Sequence, residues 1–123
     1  MMSGVSTTFS KPLGSELETV NLSSLITDID TTHVSYVNAF KSGNVVYICT
    51  KLLSGITYES TIFKLPTVLQ PVFNAVTPIF KGSDGKINNS GALWIEASSK
   101  SNVKYYGDTL DAMSYATFVY LTA

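Results

Sequence analysis

From Thr32 onward, apolar and polar residues alternate with a period of two in short runs broken by Gly, Asn, Asp and Pro, the pattern of half-buried strands. Val34, Tyr36 and Phe40 alternate with Ser35, Val37 and Ala39 as far as Lys41-Ser42-Gly43-Asn44, whose composition suits a tight turn. Val45–Leu53 is apolar on both alternations, which predicts a strand buried on both faces and paired with the preceding run as a hairpin. After a turn at Ser54-Gly55, the residues Ile56, Tyr58, Ile62 and Phe63 continue the apolar pattern. Proline cannot donate to a strand ladder, so Pro66–Pro71 reads as a loop and Val72–Phe80 as a strand with Pro78 at an edge or a bulge.

Asp84-Gly85 is a hairpin signal, and Asn89-Ser90-Gly91 predicts a second turn. Leu93, Ile95 and Ala97 then alternate with Trp94 and Glu96. Val103–Tyr106 is a short strand between loops at Ser98–Asn102 and Gly107–Asp111. Tyr115–Thr122 has the character of a central strand, with Ala116, Phe118 and Tyr120 on one face and Tyr115, Val119 and Leu121 on the other. About seven or eight short strands with turns every ten residues or so predict an all-β protein, an antiparallel β-barrel or jelly-roll-like sandwich.

The first 30 residues break this pattern. Residues 1–18 are rich in Ser, Thr, Gly and Pro and read as an arm or linker. Over residues 19–29, Val20, Leu22, Leu25, Ile26 and Ile29 fit a short amphipathic helix about as well as an irregular strand. The organisation expected is therefore an arm over residues 1–30 and a β-barrel head over 31–123.

Composition narrows the function. The 123 residues allow one domain, and with charged residues at only 14% the polar surface is largely hydroxyl and amide, supplied by 16 Ser and 14 Thr. All eight basic residues are Lys and the net charge is -1, so there is neither a basic stripe for phosphates nor a guanidinium for bidentate contacts, which argues against nucleic acid. No apolar run approaches the roughly 20 residues needed to span a bilayer, and Met1–Ser10 lacks a basic start and an apolar signal core, so a soluble protein without membrane insertion is expected.

Cys49 is the only thiol and His33 the only imidazole. Cys49 lies in an apolar run and reads as a small buried residue. A single histidine excludes a multi-histidine metal site, and with no Gly-x-Ser-x-Gly elbow there is no sign of a nucleophilic triad, so no catalytic residue, metal or cofactor is expected. A glycosidase would instead need two carboxylates about 5–9 Å apart. Asp84 with Glu96 and Asp108 with Asp111 are the pairs on offer, although Asp84 and Asp108 beside glycines read more simply as turn residues. Asp28 and Asp30 likewise suit a turn or cap and lack the pattern of a calcium loop. A saccharide site wants an exposed ring beside groups that can form forked hydrogen bonds. Trp94, on the face opposite Leu93 and Ile95, and Tyr105-Tyr106, followed by Gly107-Asp108, have that character.

The order of the motifs resembles a known family. Lys41-Ser42-Gly43-Asn44-Val45-Val46-Tyr47-Ile48 is followed by Leu53-Ser54-Gly55-Ile56, then by Ile62-Phe63-Lys64-Leu65-Pro66 with Pro71 beyond it. Asp84-Gly85-Lys86-Ile87, Gly91-Ala92-Leu93-Trp94-Ile95 and the closing run Tyr115–Leu121 complete the series. Over Thr31–Ala123 this resembles the C-terminal head domains of tail-fibre and baseplate receptor-binding proteins of phages infecting Gram-positive bacteria. The resemblance implies an antiparallel barrel or jelly-roll head that forms a homotrimer within the virion and acts outside the cell. It also implies contact with other tail or baseplate proteins and either attachment to a cell-wall saccharide or a purely structural role. The ligand-binding candidates it leaves are Trp94, Tyr105, Tyr106, Asp108 and Asp111.

Overall fold

A computed structural model describes residues 18–99 and 101–123. The expected all-β, antiparallel class is what the chain adopts: eight strands form one sheet that curls around a single core. They are β1 (Thr19–Asn21), β2 (Val34–Ser42), β3 (Val45–Leu52), β4 (Thr61–Lys64), β5 (Ala75–Lys81), β6 (Ile87–Ile95), β7 (Asn102–Gly107) and β8 (Ser114–Leu121). Their order across the sheet is β1-β2-β3-β8-β5-β6-β7-β4. The outer edge of β4 is not left bare, because Thr27 and Lys64 exchange backbone hydrogen bonds at 3.1 and 2.8 Å and the Asp30 amide donates to the Ile62 carbonyl at 2.8 Å. The segment leading into β2 thus meets the far edge of the sheet, and that edge has little free ladder to offer another chain.

Residues 1–17 of the expected arm lie outside the described residues. Between Thr19 and Ile29 the chain forms β1, a single 3-10 turn at Ser23–Leu25 and the bridge at Thr27, which settles the ambiguity in favour of an irregular strand over a helix. The Asn21 carboxamide accepts from the Ser23 amide, and the Ser23 hydroxyl accepts from the Ala39 amide. The Asn21 side chain thus takes up an amide that a helix would have satisfied internally, while Ser23 ties the segment to β2.

The hairpin of β2 and β3 turns through two residues, Gly43 and Asn44, with Gly43 at φ 58 in the first position. Two expectations for these strands are corrected. The pairing shifts between Val34 and Tyr36, a bulge that inserts Ser35 and reverses the alternation. Val34, Val37 and Ala39 consequently face the core, while Tyr36 faces out. In β3, Val46, Ile48, Thr50 and Leu52 are buried, but Tyr47 is exposed and Cys49 only half-buried. A curled sheet has one inside, so β3 buries one face despite being apolar on both.

The core is filled from every strand but β1, with Phe63, Ile79, Leu93, Ile95, Tyr105 and Phe118 essentially inaccessible. Loops add Ile56, Leu65, Leu69 and Leu110. As expected, Pro66–Pro71 is a loop with one 3-10 turn, and Pro78 lies at a register shift in the β5–β6 pairing. The chain reversal expected at Asn89-Ser90-Gly91 is absent: β6 continues through it, but the four residues Asn88–Gly91 bulge out opposite the single residue Ile79 of β5, between the Ile87–Phe80 and Ala92–Pro78 pairs. Asn88 is buried and donates to Asp111 Oδ1 at 3.0 Å and Ser114 Oγ at 3.1 Å, so its polarity is satisfied within the strand. Gly91 pairs with Gly107 across β6 and β7, and a methyl group on Gly91 would lie 2.5 Å from the Tyr106 carbonyl oxygen. This glycine permits close approach of two strands and does not make a turn.

Candidate functional site

Strand alternation places Trp94 and Glu96 on the outer face, with Leu93 and Ile95 beneath them in the core. Tyr106 on β7 faces the same way and pairs with Ala92 on the neighbouring strand. The third ring comes from a loop. The Gly55 amide donates to the Leu110 carbonyl at 2.8 Å, the Leu110 amide to the Ile56 carbonyl at 2.9 Å, and the Glu59 amide to the Tyr105 carbonyl at 2.8 Å. With Ile56 buried beneath, residues 55–60 are laced along β7 and present Tyr58 to Tyr106. Glu59 adopts φ 63, a left-handed conformation unusual for a residue with a side chain, and the neighbouring hydrogen bonds Ser60 N–Thr57 O and Tyr105 N–Ser60 O hold the turn around it.

Tyr58, Trp94, Glu96 and Tyr106 line an open cavity of about 250 Å³. The Tyr58 and Tyr106 ring centroids are 5.5 Å apart at 76°, and those of Trp94 and Tyr106 are 6.1 Å apart at 84°. Both are edge-to-face contacts, which aromatic quadrupoles favour over a stacked pair, so the rings stand as walls rather than as one flat platform. The Tyr106 hydroxyl donates to Glu96 Oε1 at 3.3 Å. Its phenol is held above the usual range, first by loss of hydration and then by the negative charge of Glu96, with Glu59 adding to it. At neutral pH it is a hydrogen-bond donor.

The structure unites only part of the set expected from sequence. Trp94 and Tyr106 share the cavity. Tyr105 is a correction: it is fully buried in the core, and its hydroxyl donates to the Asp108 carbonyl and shares a second hydrogen bond with the Ser90 hydroxyl. Adjacent residues on a strand face opposite ways, so Tyr105 and Tyr106 cannot serve one surface. Asp108 and Asp111 are also outside the cavity, Asp108 in the turn after β7 and Asp111 bound to Asn88. Tyr58 and Glu96 are the residues that sequence reasoning did not assign to a ligand site. Glu96 could have been found from its i, i+2 relation to Trp94, while Tyr58 depends on a loop that only the tertiary contacts position.

The other candidate chemistry is local. His33 Nδ1 and Asp30 Oδ2 are 2.7 Å apart, and Asp30 also accepts from the Thr32 amide, so the carboxylate shapes the turn before β2. Asp84 accepts from the Lys86 amide at 3.0 Å in the β5–β6 hairpin. Asp84 and Glu96 lie beyond opposite ends of β6, whose Ile87 and Ile95 pair with Phe80 and Ala75 five residues apart on β5, a span of roughly 17 Å at about 3.3 Å per residue and too far for paired acid and base work. No group of His, Cys, Asp and Glu fit to hold a metal occurs among the described residues. No protein-family model matches the chain, and no curated protein matches it.

Proposed function

We propose that the chain is a non-catalytic attachment module of a phage tail or baseplate, a homotrimer that binds a cell-wall saccharide of a Gram-positive host at the Tyr58–Trp94–Tyr106 cavity. The observation that carries this reading is the outward-facing aromatic cavity with a carboxylate in its wall. Rings offer their faces to the apolar C–H faces of a sugar, and Glu96 accepts from its hydroxyls. The resemblance in motif order supplies the biological setting, a virion protein working outside the cell.

A second reading, a structural baseplate piece with no ligand, draws on a different surface. Phe73, Val76, Val119 and Leu121 are exposed together along a groove beside β5 and β8, and an apolar surface of this kind suits contact with another subunit or another tail protein. Pull-down of the full chain on Gram-positive wall fractions separates the two. Attachment predicts binding that falls at least about tenfold in Trp94→Ala, the loss of a well-packed anchor, while circular dichroism and oligomeric state are unchanged. Wall binding that ignores Trp94, or no binding to any wall fraction, leaves the structural role.

A further inference from the structure

Three features of the cavity go beyond a saccharide platform. First, its rings are nearly perpendicular, at 76° and 84°, so they enclose a rounded guest better than they stack on a flat one. Second, ring faces carry the negative side of the aromatic quadrupole. Third, the charges beside them are mostly negative. Glu96 accepts from Tyr106, and the Glu59 charge also acts on the Tyr106 phenol. Against these two carboxylates stands Lys104, which pairs in register with Trp94 but forms no ion pair among the described residues. No cation–ring contact occurs at the cavity among the described residues. The cation–ring contact among the described residues is Lys51 Nζ at 5.9 Å from the Tyr115 centroid, on β3 and β8.

We propose that the cavity selects a cationic ammonium substituent, with a quaternary trimethylammonium head as its best-fitting form, and that Glu96 in its wall provides the charge discrimination. Three ring walls exclude water from such a head without requiring hydrogen bonds from it, which a quaternary nitrogen cannot donate. Glu96, held by Tyr106, supplies a fixed negative charge at the same wall. The inference rests on the attachment reading for its biological ligand, which would be a wall polymer bearing ammonium groups, but the binding chemistry can be tested without that polymer.

Trp94 is the only tryptophan, so its fluorescence reports on the cavity directly. The full chain is titrated at constant ionic strength with choline chloride and, in parallel, with choline's uncharged isostere in which a quaternary carbon replaces the nitrogen. The expected result is a saturable change with choline, with affinity for the isostere and affinity of Glu96→Gln for choline each lower by roughly three- to thirtyfold. Equal binding of choline and the isostere, or unchanged affinity in Glu96→Gln, overturns the proposal, as does the absence of any saturable response. If choline gives none while wall binding still depends on Trp94, charge selection fails and the saccharide reading stands. If choline binds as expected but wall binding ignores Trp94, the cage is real and the saccharide assignment fails.

Discussion

Tyr120 sits half-buried on the inner side of β8, edge-on to Phe118 at 6.2 Å, with its hydroxyl donating to the Leu69 carbonyl. Burial pushes this phenol well above the usual tyrosine range. The folded protein therefore keeps a proton that the unfolded chain gives up near pH 10. Stability from this group is fully present below that pH and is lost as pH rises beyond it, because only the unfolded state is then favoured by ionisation. Tyr105, held up by burial in the core, acts in the same direction. Tyr120→Phe removes the titrating group together with one hydrogen bond. Urea unfolding at pH 8 should show a loss of about 0.5–1.5 kcal/mol, with the gap to the parent chain narrowing or reversing near pH 11. Parallel decline of the two proteins with pH would refute this account of Tyr120.

At the scale of elements, the close approach of β6 and β7 builds the site, since Trp94 and Glu96 lie on one strand and Tyr106 on the other. The Gly91–Gly107 pair sets that spacing. A methyl group at Gly107 would fall 2.1 Å from the Ser90 carbonyl oxygen, and Gly107 has φ 148, where side chains are disfavoured. Gly91→Ala is expected to destabilise the fold by about 1–3 kcal/mol, because its nearest neighbours include backbone that cannot rotate away. Strand separation would also move Tyr106 relative to Trp94, so the Trp94 emission maximum should shift under native conditions. Unchanged emission and unchanged unfolding would show that the strands can part freely. Glycine and polar clusters such as Asn89-Ser90-Gly91 read as turns from sequence because turns are their commonest use. Here the buried Asn88 amide, bound to Asp111 and Ser114, and the facing Gly107 hold the same residues in a bulge within β6 in place of a chain reversal. The partner residues are 15 or more positions away in sequence, beyond the reach of a local pattern.

Across the whole molecule, the outer surface of β3, β8 and β5 is unusually apolar for a strand face turned to water. Val119 is 60% exposed, Leu121 54% and Val76 52%, with Phe73 at 74% beside them. Val119 pairs with the exposed Tyr47, and Val45 with Leu121, so the patch is continuous across neighbouring strands. If the proposed trimer closes over this face, light scattering should give three times the chain mass, and Val119→Glu should yield a folded monomer because a charge buried at the contact is heavily penalised. A parent chain that is monomeric at all concentrations would remove the trimer from the proposal. The aromatic cavity involves other strands, β6 and β7 with the loop at Tyr58, so its choline response should persist in Val119→Glu.

What the sequence determined by itself was the class of the protein and much of its punctuation. Period-two alternation can satisfy only strands, Gly43-Asn44 and Asp84-Gly85 admit only tight reversals, and Pro78 forbids a regular ladder at its position. These are short-range constraints, so they are written locally. The faces of β2 and β3, the bulged passage of β6 through Asn89-Ser90-Gly91 and the make-up of the cavity were decided by tertiary structure alone. A bulge at Ser35 inverts which side chains reach the core, and curvature gives the doubly apolar β3 a single inside. The cavity exists because a loop laced to β7 brings Tyr58 beside rings nearly 50 and 40 positions away in the chain, through backbone hydrogen bonds that side-chain identity does not encode.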